Sequence, residues 1–127
     1  MEAIEMTNSL VSDRPVREWF KAAPVTQFPE NGGAAVLYNG KQIAVFNFTA
    51  KGEWYASQNM CPHKMQMALS RGIIGDAESE PKVSCPFHKK NFSLQNGQCL
   101  NDEALSIEVF PVKITDGFVF IGIPEGF

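Results

Sequence analysis

The sequence predicts an all-β fold, and three observations carry that prediction. Apolar residues fall in short runs of strand length, with few helical signals. Asn39-Gly40 and Asp116-Gly117 stand between such runs, where a type I′ turn needs positive φ at both central residues. Heptads, repeats and low-complexity tracts are absent from the sequence. Many short strands joined by Gly, Pro and Asn turns build sandwiches or small barrels.

The elements follow in chain order. Residues 1–12 are polar and unpatterned, and are expected to be a mobile tail before a single domain at 13–127. Arg17 to Lys21 fits either a strand or one short turn. Ala34–Tyr38 and Gln42–Phe48 form an expected hairpin around Asn39-Gly40-Lys41, and Glu53–Gln58 adds a strand. Asp76 to Lys82 is polar and reads as a surface loop. Asn96-Gly97 should turn the chain after Phe92-Ser93-Leu94. Ser106–Ile114 and Phe118–Ile123 are expected to pair around Asp116-Gly117. The second of these runs is almost continuously apolar, which predicts a central strand or one buried on both faces.

Cys61-Pro62-His63 and Cys85-Pro86-Phe87-His88 carry the chemistry. Each places a Cys and a His close together beside a proline, which removes a backbone donor and fixes one dihedral. The chain has two histidines and three cysteines, and the pairs use both histidines and two cysteines. Two mixed pairs supply the donor set of a Rieske [2Fe–2S] centre, in which two histidines replace two thiolates on one iron. Cys61 and Cys85 are read as ligands of the inner iron, His63 and His88 as ligands of the outer iron. Two other readings stand beside this one. Structural zinc uses the same residue types, but commonly groups Cys with Cys and His with His. A Cys–His catalytic dyad would leave the second pair idle.

The pattern Cys-x-His, spacer, Cys-x-x-His resembles the Rieske ferredoxin family. That likeness implies an antiparallel β-sandwich with a small cluster-binding sub-sheet, and a strand at Arg17–Lys21. The cluster-binding loops fall near 60–69 and 84–92. A narrower likeness covers most of the chain. Leu69-Ser70-Arg71-Gly72-Ile73-Ile74-Gly75, Cys85 to Leu94, Asn96-Gly97-Gln98-Cys99-Leu100, Ser106-Ile107 and Phe110-Pro111-Val112 look like the small subunit of assimilatory NAD(P)H-dependent nitrite reductase. Ring-hydroxylating dioxygenase ferredoxins usually carry Gly and an aromatic after the last ligand His; this chain has Lys89-Lys90. High-potential Rieske proteins pair two further cysteines, and Gln66 and Phe87 stand at those positions here. The resemblance implies a larger partner subunit with flavin, siroheme and a [4Fe–4S] cluster, which reduces nitrite to ammonium. A free dioxygenase ferredoxin and a structural zinc module are the alternatives.

Composition narrows the function further. At 127 residues the chain is one domain with room for a normal core. Hydrophobic residues at 44% and charged residues at 20% are ordinary for a soluble protein. A net charge of −3 gives no basic footprint for nucleic acid. Neither a membrane-length apolar run nor a signal peptide is visible. With two cysteines assigned as ligands, no disulfide is left, which fits the cytoplasm. The chain shows no Gly-rich dinucleotide loop and no spare acid/base pair, so it is expected to be catalytically silent alone. No Ser or Tyr adjoins His88, which points to the low end of the Rieske range, around −150 mV. Lys64, Lys89, Lys90 and Arg71 are candidates for a docking patch. Met60, Met65 and Met67 are expected to cover the cluster. Cys99 is expected to be an inert strand thiol.

Overall fold

The structure, a computed structural model, describes residues 16–49, 52–62, 66–77, 80–86 and 90–124. The proposed tail at 1–12 lies outside these residues. So do His63, Lys64, Met65, Phe87, His88 and Lys89.

Two antiparallel sheets form the body. β2 (Gly32–Tyr38), β3 (Lys41–Phe48), β4 (Glu53–Gln58) and β10 (Val109–Phe110) make the first, in the order β10-β4-β3-β2. β1 (Val16–Pro24), β11 (Val112–Thr115) and β12 (Phe118–Pro124) make the second, in the order β1-β12-β11. The turn between β2 and β3 has φ of 48° at Asn39 and 80° at Gly40, as a type I′ turn requires. Asp116 and Gly117 repeat this between β11 and β12, with φ of 53° and 78°. The expected hairpins at both sites are present, and Arg17–Lys21 lies within strand β1.

β3 separates two cores. Ile43 and Val45 face the second sheet, packing with Ala56, Phe110, Val112, Val119, Ile121 and Ile123. Ala44 and Phe46 point the other way, toward Cys61, Leu69, Val83, Cys85 and Phe92. All four are fully buried, because alternate side chains of this strand enter opposite cores. β12 is central in its sheet, as its apolar run predicted.

Two expectations need correction. Ser106–Ile114 is not one strand. Pro111 divides β10, paired with β4, from β11, paired with β12. Proline cannot continue a ladder as donor, and here the chain changes sheets. Pro111 fits because Gly122 faces it: a β-carbon at 122 would lie 2.6 Å from Pro111 Cγ. The described residues of the stretch from Asp76 to Lys82, all but Glu78 and Ser79, lie in strands and not in a surface loop. β7 (Ile73–Ala77) and β8 (Glu80–Ser84) form a hairpin in which Asp76 pairs Pro81, and Pro81 is buried. Its polar composition reflects one exposed face, not an absence of ladder.

β9 (Asn91–Ser93) completes a small sheet, β7-β8-β9. β5 (Met60–Cys61) and β6 (Gln66–Met67) form a two-stranded ladder beside it in the sequence of elements. Among the described residues, no helix is long and apolar enough to cross a membrane.

Candidate metal centre

Each Cys opens a short loop closed at its base by backbone pairing. In the first, Cys61 pairs Gln66 across β5 and β6. In the second, Ser84 pairs Asn91, and the Cys85 N–H donates to the Lys90 carbonyl at 2.9 Å. Residues 62–65 and 86–89 span the two gaps, so the loops have equal length. Each gap starts with proline and contains the histidine of its pair. Both histidines lie outside the described residues, so only the cysteine half of the donor set is located.

Cys61 is fully buried and Cys85 is 1% exposed, within one core cluster. The three cysteines form no disulfide. Two buried thiols in one cluster, each at the start of a prolyl loop, fit an iron or zinc site with soft ligands. Cys99 joins the same core at 4% exposure. Its thiol donates to Asn101 Oδ1 at 3.2 Å, and it forms an isolated bridge with Phe92 rather than lying in a strand.

The sequence reading missed the groups that hold these loops. Asn59 is 2% exposed, and its carbonyl accepts from the Ala68 and Leu69 N–H groups at 3.0 Å each. Its Oδ1 accepts from the Ser70 N–H at 2.7 Å, and its Nδ2 donates to Gln42 Oε1 at 2.7 Å. Gln58 Nε2 donates to the Met60 carbonyl at 2.7 Å. Around the second loop, Lys82 Nζ donates to Asn91 Oδ1 at 3.0 Å, and the Ser84 hydroxyl also donates to Asn91 Oδ1. The Asn91 N–H donates to Asn101 Oδ1 at 3.1 Å, and the Leu100 N–H donates to the Asn91 carbonyl at 2.6 Å. Nothing in the sequence distinguishes Asn59 from a surface residue; its burial comes from the tertiary packing.

Of the docking-patch candidates, Lys90 is engaged within the chain: its Nζ sits 3.3 Å from Asp102 Oδ2, and its side chain is only 22% exposed. Asp102 lies in the segment that folds back over β9, so topology, not local sequence, brings the two together. Arg71 is exposed. Met67, on the short β6 ladder, is 46% exposed.

A sequence model of the family described as a Rieske-like [2Fe-2S] domain matches residues 18–122. A nitrite reductase [NAD(P)H] of Emericella nidulans is 41% identical over 123 residues, covering 91% of this chain and 11% of that protein. The chain thus spans about a tenth of that relative's length. The ferredoxin component of the naphthalene 1,2-dioxygenase/salicylate 5-hydroxylase systems of a Ralstonia species is 33% identical, covering 77% of this chain and 88% of that one. The solution structure of the nitrite reductase [NAD(P)H] small subunit from Erwinia carotovora superposes with a TM-score of 0.73 at 30% identity. That match covers 86% of this chain and 84% of the Erwinia chain.

Proposed function

The chain belongs to the Rieske-like [2Fe–2S] domain family, and from that premise we propose that it is the electron-transfer small subunit of an assimilatory NAD(P)H nitrite reductase. One observation carries the proposal. The chain is similar over most of its length to most of a nitrite reductase small subunit. The domain is read as residues 13–127, with the cluster loops near 60–69 and 84–92.

Cys61 and Cys85 would hold the inner iron, and His63 and His88 the outer iron. When bound, the cluster supplies one reversible electron at a histidine-ligated iron of raised potential. The chain's own residues supply the setting. Burial of both thiols keeps water from the inner side. The prolines after each Cys stiffen the loops. The Ser84 hydroxyl, next to Cys85, is engaged by Asn91 Oδ1. That supports a potential near the low end of the range, around −150 mV.

The partner proposed is a larger subunit with flavin, siroheme and a [4Fe–4S] cluster, which reduces nitrite to ammonium in the cytoplasm. This chain alone would carry electrons without turning over nitrite. The Ralstonia likeness favours a second reading, a free ferredoxin feeding an oxygenase. Lys89-Lys90, in place of Gly and an aromatic, speaks for the first. Family membership argues against structural zinc.

The test uses the purified protein and two candidate partners. About two irons and two acid-labile sulfides per chain are expected. Electron exchange with the siroheme reductase, and none with a dioxygenase, supports the nitrite reductase role. The reverse preference overturns it. A colourless protein with stoichiometric zinc overturns the ligand assignment as well.

A further inference from the structure

We infer that Asn59 is a positioning residue: it holds the first cluster loop, and with it Cys61, in its ligand-presenting placement independently of iron. This rests on the reading of Cys61 and Cys85 as ligands.

Three consecutive backbone N–H groups converge on this one side of the loop. Ala68 and Leu69 donate to the Asn59 carbonyl, and Ser70 donates to its Oδ1. The chain leaves this anchor through Met60 and Cys61 and returns to it through Gln66 and Met67, which pair with them across the β5–β6 ladder. The short 3₁₀ turn Leu69–Arg71 begins at that anchor, so its first donors are met by Asn59 rather than by water.

The carboxamide orientation follows from its partners. A backbone N–H can only donate, so the atom facing Ser70 must be Oδ1. Nδ2 then faces Gln42, whose Oε1 accepts. Gln42 lies on β3, in the middle of the main sheet. Asn59 thus ties the loop both to its own return segment and to the rigid body of the fold. Asn59 is 2% exposed and Ser70 8%, whereas Gln42 is exposed. An apolar side chain at 59 would leave the Ser70 donor buried and unmet.

A residue that only stabilised the fold would predict the same thermal loss wherever stability was lowered. A positioning residue predicts loss confined to the loop. The contrast is Val119→Ala, which hollows the other core without touching the loop. Wild type, Asn59→Leu, Asn59→Asp and Val119→Ala are compared as purified, iron-loaded proteins. Cluster release to excess chelator is followed by visible absorption, the reduced protein is examined by electron paramagnetic resonance, and unfolding of each apo-protein is measured in urea.

Asn59→Leu is expected to release iron about tenfold faster than wild type, the factor that one unmet buried donor corresponds to, with a broadened resonance spectrum. Asn59→Asp keeps an acceptor for Ser70, and a flipped Gln42 amide can donate to it; its release stays within about threefold of wild type. Val119→Ala should unfold more readily but release iron at the wild-type rate. Gln42→Leu cuts only the tether to β3 and should show a smaller effect of the same kind; it carries the test if Asn59→Leu does not fold. Release that tracks apo-protein stability across all variants overturns the inference, as does wild-type release from the Asn59 or Gln42 variant. A wild-type protein that takes up no iron overturns the ligand reading instead.

Discussion

Gly72 lies against Ser84 so closely that a β-carbon at 72 would stand 2.2 Å from the Ser84 carbonyl oxygen. It would also stand 2.9 Å from Val83 Cγ2. Gly72 follows the 3₁₀ turn that closes the first loop, and Ser84 immediately precedes Cys85. Its φ of −77° is open to any residue, so glycine is needed here for space and not for conformation. The two ligand loops meet at a point where no side chain fits.

Gly72→Ala should therefore push the loops apart. Overpacking of this kind costs about 1–3 kcal/mol, and the iron content per chain should fall along with the urea midpoint. Gly75→Ala, with no heavy atom within 4 Å of its β-carbon, is the control and should match wild type. Equal iron content in both variants would show that the contact yields without consequence.

The cysteines should divide sharply. Cys61→Ser and Cys85→Ser should each abolish the visible spectrum, because each removes a soft thiolate. Cys99→Ser should retain it. Its thiol only donates to Asn101, and a hydroxyl can do the same. Absorption spectra with iron analysis decide this.

Partner docking is best probed with one lysine. Lys89→Glu together with Lys90→Glu would also remove the Lys90–Asp102 pair. Partly exposed pairs of this type contribute only about 0.2–1 kcal/mol, so Asp102→Asn should lower stability slightly and leave electron exchange unchanged. If the proposed large subunit is the partner, Lys89→Glu alone should slow reduction by it, most at low ionic strength. Stopped-flow traces across a salt series check both statements.

Tyr55 should give the protein an alkaline weakness. Burial first, then a 2.7 Å hydrogen bond to Glu53 and the charges of Glu53 and Asp76, raise its hydroxyl above the ordinary 10.0. The folded state keeps this proton where the unfolded state loses it. The resulting stability is fully present below pH 10.0 and declines as pH rises past it, by up to about 1.4 kcal/mol per unit. Tyr55→Phe has no such group. The wild-type advantage over Tyr55→Phe should shrink above pH 10.0 in urea titrations. A constant difference would remove Tyr55 as the cause.

Local rules were enough for much of this fold. Asn39-Gly40 and Asp116-Gly117 located two hairpins, since positive φ at consecutive residues leaves few alternatives. The cysteine half of the candidate site was legible because so few cysteines and histidines are present, and those are paired. What stayed hidden depends on contacts distant in sequence. Pro111 looked like part of a strand, and only the sheet crossing shows it as a divider. Asn59 gave no local signal; its importance comes from Gln42, Ala68, Leu69 and Ser70 arriving around it. The pairing of Lys90 likewise depends on Asp102, which the fold brings to it.

The β7–β8 ladder separates chain distance from spatial distance. Its base is fixed where Ile73 pairs Ser84, and its outer end is reached where Ala77 pairs Glu80. Residues inserted at that outer end would leave the pairing at the base unchanged, because the register there is set where Ile73 meets Ser84. The gap between Cys61 and Cys85 can therefore lengthen without moving either thiol, and a search pattern that fixes its length would miss such chains. The same end of the hairpin is the natural place to graft a reporter or an affinity peptide without disturbing the metal.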